Sequence, residues 1–167
     1  MKLCQQADAS KFFFAFTGIF SETLLTYFPE NEKKEVLDFM NHLPENAIWE
    51  TGALQEGAEY NAVFNSFDII HLIYKNFYSS SNRLTKAANF HKFVLANNIG
   101  CVGDDVPKYD LGETADENNI NEHQQKIEIL RERILKKDFP YQQWKIYSEK
   151  HSTEILKEKF TELLKLV

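Results

Sequence analysis

Histidines, cysteines and clustered carboxylates are the side chains of this chain that could hold a metal or carry a reaction, and their spacing limits what they can do. The five histidines are His42, His71, His91, His123 and His151. Helical zinc and di-iron sites draw ligands from i, i+3 or i, i+4 pairs, which share one helix face. Asp68-x-x-His71 has that spacing, and no second motif matches it. The histidines are therefore expected as hydrogen-bonded core or boundary residues, and no metal is expected. Arg83 and His91 lie eight positions apart, about 800° of helical rotation and roughly 80° out of alignment, so they are not expected to reach one phosphate together. Cys4 and Cys101 have no histidine close in sequence, and no nucleophile-elbow motif occurs, so no catalytic residue and no cofactor are expected. Gly100-Cys101-Val102-Gly103 runs into carboxylates, which repel phosphate and count against nucleotide binding.

The carboxylates are the remaining signal. Residues 101–119, CVGDDVPKYDLGETADENN, hold six of them against Lys108 alone. Asp104, Asp105 and Asp110, interrupted by Pro107, do not follow the alternate spacing and sixth-position glycine of a calcium loop. The stretch is expected to be a long acidic loop pinned by Val102, Val106, Tyr109 and Leu111, with Tyr109 as the aromatic centre of a charged interface. A disordered acidic connector is the alternative. Residues 35–74 add seven carboxylates and no Lys or Arg, whereas residues 75–103 carry Lys75, Arg83, Lys86 and Lys92 and no acid. That basic block, with Tyr78 beside it, is small next to two acidic segments, so nucleic acid is not an expected ligand.

The acidic surface points to a basic protein partner, attracted by charge complementarity. Asp104, Asp105, Tyr109, Asp110, Glu113, Asp116 and Glu117 are the expected contact residues. The expected function is non-catalytic: binding and neutralising that partner in the manner of an immunity protein or antitoxin, for example against a nuclease toxin. The alternatives are a small helical metal- or nucleotide-processing enzyme using Asp68, His71 and His91, and a scaffold domain built on the Ile120 to Ile134 stripe.

The elements that must position these residues read as helices. The chain of 167 residues, 43% apolar and 14% aromatic, supports one folded domain, 1–167. Phe13, Phe16, Ile19/Phe20 and Leu24 recur at three-to-four spacing and predict a first helix over 10–28, closed by Pro29. A second helix follows in PENEKKEVLDFMNHL, with Val36, Leu37, Phe39 and Met40 inward, and then a connector over 44–60. Tyr60, Val63/Phe64, Phe67, Ile70, Ile73/Tyr74 and Phe77 trace a long core helix. Leu84, Ala87/Ala88, His91 and Val94/Leu95 trace another, capped by SSSN and ended by Gly100. Ile120, Ile127, Leu130 and Ile134 form a stripe before Phe139-Pro140, and 141–167 reads as one helix or two joined near His151 to Thr153. No strand alternation is apparent, so the expected fold is all-α, an irregular bundle of about six or seven helices. The apolar run over 12–20 is about half the length of a membrane span, Asp8 precedes it and no cleavage site follows it. Two well-separated cysteines fit a reducing compartment, so a cytoplasmic protein with no membrane partner is expected.

Overall fold

The computed structural model describes residues 1–18, 26, 28–50, 52–54 and 56–165. It overturns the all-α expectation: among the described residues five parallel strands in two sheets alternate with helices. The chain divides into two compact units, 1–64 and 65–167.

Unit 1 opens with α1 (Lys2–Gln6) and β1 (Phe14–Thr17), followed by α2 (Glu30–Asn41), β2 (Ala47–Glu50) and the start of α3 (Ala58–Ser66). Phe14, Ala15, Phe16 and Thr17 pair in parallel with Ala47, Ile48, Trp49 and Glu50. Phe16 sits inside a small core, stacked on Trp49 at 5.3 Å and edge-on to Phe39 at 5.5 Å. The predicted first helix is corrected here, since Phe14 and Phe16 lie on a strand. Ile19, Phe20 and Leu24 of that stripe lie outside the described residues. The second predicted helix is α2, where Phe39 is buried and Leu37 is exposed.

Unit 2 holds β3 (Ile69–Leu72), α4 (Asn82–Asn89), β4 (Phe93–Asn97), α5 (Gly100–Lys108), β5 (Gly112–Ala115), α6 (Ile120–Leu135), α7 (Tyr141–Lys150) and α8 (Thr153–Leu164). Its sheet has the order β3-β4-β5, with Ile70 opposite Val94 and Val94 opposite Gly112. A parallel pair needs a crossover, and α4 and α5 supply the two crossovers. All five residues of β4 are buried. A strand covered on both faces reads as a continuous apolar run instead of an alternation, which is why Val94 and Leu95 resembled the tail of a helical stripe. The predicted core helix over 60–77 is likewise α3 followed by β3. The expected acidic loop over 101–119 is also corrected, because it contains most of α5 and all of β5.

Two glycines fix how closely the layers approach. Gly112 has φ +155°, and a Cβ there would stand 2.0 Å from the Val94 carbonyl oxygen. Gly100 has φ +68°, and its Cβ would stand 2.4 Å from the Tyr78 carbonyl oxygen. Behind the sheet, Trp144 and Tyr147 of α7 are almost fully buried, with Trp144 edge-on to Phe93 at 5.1 Å. The predicted stripe after Ile120 is α6, with Ile127 and Leu130 buried. The C-terminal segment forms two helices, joined at His151 and Ser152.

Candidate functional site

The acidic residues proved to be largely internal ties of unit 2. Tyr109 is 8% exposed; its ring meets Tyr147 edge-on at 5.1 Å and its hydroxyl accepts a hydrogen bond from Lys150 Nζ at 2.9 Å. That bond to the phenol oxygen holds the Lys150 ammonium above its ordinary pKa. Asp110 receives Arg133 through both carboxylate oxygens, at 2.7 and 2.9 Å, and its backbone carbonyl accepts the Trp144 indole N–H at 3.1 Å. Hydrogen bonding to Asp110 raises the pKa of the Arg133 guanidinium. Glu113 pairs with Lys126 at 2.7 Å. Asp116 accepts the Asn118 N–H through Oδ1, and its carbonyl accepts the proton of His123 Nε2 at 2.7 Å. Asp105 is half-buried beside Tyr147, and Asp104 is exposed on α5. The stretch is therefore spread across a helix, a turn and a strand end, and only part of it faces solvent.

The polar groups that converge lie at the carboxyl ends of the three strands. Asn97, the last residue of β4, is 1% exposed. Its Nδ2 donates to the Tyr74 carbonyl at 2.8 Å and to Glu117 Oε2 at 3.2 Å, and its Oδ1 accepts the Tyr74 N–H at 2.8 Å. Glu117 Oε2 also accepts the Asn76 N–H at 2.8 Å. One buried amide thus ties together the chain leaving β3, β4 and β5. From the β3 end, a loop through Ser79, Ser80 and Ser81 leads into α4. That helix has no side-chain cap and no carboxylate in its first turn. Arg83 lies in that turn, with Nη1 donating to the Tyr74 hydroxyl at 3.1 Å. Helix N-termini favour anions because their N–H groups and dipole point outward, and Arg83 adds a full positive charge beside that end.

At α5 the first turn also lacks carboxylates, and its Cys101 N–H is taken by the Tyr78 carbonyl at 3.1 Å, as the Leu84 N–H of α4 is by the Ser81 carbonyl at 3.0 Å. The carboxylates expected to repel phosphate from the Gly100–Gly103 turn lie past that first turn, on Asp104 and Asp105. An open depression near the amino end of β4 gathers donors of its own from Asn89, His91, Tyr141, Gln142, Lys145 and Ser148, beside the Glu149 carboxylate.

The histidine spacing is corrected too. His71 lies on β3 and Asp68 in the turn before it, so the pair shares no helix face. The His71 ring stands 6.0 Å from that of His123. Among the described residues no three His, Cys, Asp or Glu side chains group as metal ligands. His91 follows α4 with φ +54° instead of lying on the helix with Arg83.

Sequence reasoning missed Asn97, Tyr74 and the α4 turn as a site. The signal was present in FVLANNIG, a short apolar run ending in polar residues and a glycine before the next helix, which marks a strand, turn and helix start. Compared with known protein families and with curated proteins, the chain matches none. Among the described residues no helix is long and apolar enough to cross a membrane.

Proposed function

We propose that unit 2 binds a phosphate-bearing small molecule of the nucleotide class at the carboxyl ends of β3, β4 and β5. In parallel α/β sheets ligands sit outside the carboxyl ends of the strands, with phosphate on a helix N-terminus. The observation that carries the reading is the first turn of α4: uncapped by a side chain, free of carboxylates, and holding Arg83 against the Tyr74 hydroxyl. Ser79 and Ser80 supply exposed hydroxyls beside it, and Lys75 adds a second positive charge on the same loop. The nucleotide-processing alternative from the sequence gains this support without its helical metal site. Neutralisation of a basic protein partner has less, because Tyr109, Asp110, Glu113, Asp116 and Glu117 are engaged within unit 2. A cytoplasmic location belongs to the proposal, supported by two free thiols, Cys4 and Cys101.

Titration calorimetry with inorganic pyrophosphate and with ADP, GDP, UDP and CDP tests the reading. Pyrophosphate and at least one nucleoside diphosphate are expected to bind, weakening with salt. Arg83→Gln should lower affinity about tenfold, the scale of one charge-assisted contact. Absence of binding by all five probes at low salt would discard the proposal.

A further inference from the structure

The loop between β3 and α4 presents the Ser79–Arg83 segment, and it is held at three places. Tyr74 is bound through both its N–H and its carbonyl by the buried Asn97 amide, at 2.8 Å each. Asn76, at φ +54°, donates its N–H to Glu117 Oε2 at 2.8 Å. Tyr78 gives its carbonyl to the Cys101 N–H, beside the tight approach at Gly100. Of the groups that hold the loop, one is the fully buried Asn97 amide at the end of β4 and another a backbone N–H in the first turn of α5. The third is one half-buried side chain from the end of β5.

We infer that Glu117 is a positioning residue that fixes the β3–α4 loop in the form that offers its anion-binding turn. Ordering a loop residue costs about 1–2 kcal/mol of conformational entropy, and a loop already ordered binds more tightly because that ordering precedes the ligand. The donors to Oε2 are both neutral, the Asn76 N–H and Asn97 Nδ2. Glu117 stands in no ion pair among the described residues. What the tie requires is therefore first an acceptor oxygen at the reach of a Glu side chain, which the negative charge strengthens. Gln keeps that reach and a carbonyl oxygen; Asp keeps the charge and retracts it by one methylene.

The effect on ligand affinity rests on the reading of the site given above, whereas the effect on the loop does not. Amide hydrogen exchange over 75–81, read by mass spectrometry on the full chain, follows the loop directly. Glu117→Ala and Glu117→Asp should each speed exchange there about tenfold, the scale of one or two lost hydrogen bonds, while β4 stays protected. Glu117→Gln should speed exchange less than either. Pyrophosphate affinity should follow the same order. Unchanged exchange in Glu117→Ala, or a Glu117→Gln protein as loose as Glu117→Asp, would overturn the inference. Should the Ala variant fail to fold, the Gln and Asp pair decides alone. If pyrophosphate fails to bind the parent protein, the site reading falls and the exchange pattern still decides the role of Glu117.

Discussion

Asp110 and Arg133 join the turn after α5 to α6 through two parallel hydrogen bonds, at 2.7 and 2.9 Å, one to each carboxylate oxygen. Arg133 also lies over the Phe93 ring at 4.5 Å and reaches Asp138 at 3.1 Å, so one guanidinium connects the sheet, the turn and the end of α6. Asp110 itself is at φ +48°, a region that Asp and Asn tolerate better than other non-glycine residues. Asp110→Asn therefore removes the charge without adding backbone strain. The pair is partly exposed, so its loss should cost about 1–2 kcal/mol, below the value for a fully buried pair. Asp104→Asn, on the exposed face of α5, should stay within about 0.5 kcal/mol of the parent. Urea midpoints of the two variants at constant slope check the contrast.

Trp144 contributes both volume and a donor. Its side chain is fully buried against Phe93, and its indole N–H reaches the Asp110 carbonyl at 3.1 Å. Trp144→Phe should lose the hydrogen bond and part of the volume, for about 1–3 kcal/mol. Trp144→Ala should lose about 3–5 kcal/mol and lie near the limit of folding. Chemical denaturation of both variants measures the difference.

Tyr147 is 1% exposed. Burial first, and then the negative charge of Asp105, push its phenol up to about 12. The folded state thus holds the proton longer than the unfolded chain, whose phenol ionises near 10. This contribution is fully present below pH 10 and is lost as the pH rises from 10 to 12. Stability of the parent protein should fall over that range, and Tyr147→Phe should fall less steeply. Denaturant unfolding at pH 9, 10, 11 and 12 checks the sign, and equal slopes would refute it.

The sequence carried α2, α6 and the two C-terminal helices because each runs long enough for a 3.6-residue period to repeat. It hid the strands, which are four or five residues long and give no such repeat. The stripe through Leu84, Ala87 and Ala88 is a true helix face. Its continuation through His91 to Val94 and Leu95 crosses a reversal made by a non-glycine residue at positive φ, with no Gly or Pro to mark it. The carboxylates of 101–119 looked solvated because their partners, Arg133 and Lys126, come from a helix later in the chain. For the same reason the Asn97–Glu117 tie could not be seen, since it needs the sheet order before its residues become neighbours.

Gly112 gives the sharpest test of that sheet. It starts β5 opposite Val94 with φ +155°, and a Cβ at this position would lie 2.0 Å from the Val94 carbonyl oxygen and 2.7 Å from its nitrogen. Both obstacles are backbone of the central strand, which is buried at every position and cannot retreat without opening its pairing with β3. Gly112→Ala should therefore break the β4–β5 ladder and release Glu113 from Lys126, in addition to the strain of the positive φ. Gly57 supplies the control, because at φ +133° its added Cβ would meet nothing within 4 Å. Gly57→Ala should show the strain alone, about 1 kcal/mol or somewhat more, in an otherwise folded protein. Hydrogen exchange over 93–97 distinguishes them: protection lost in Gly112→Ala and kept in Gly57→Ala supports the parallel register. Equal protection in both would show that β5 does not pair with β4 at Val94.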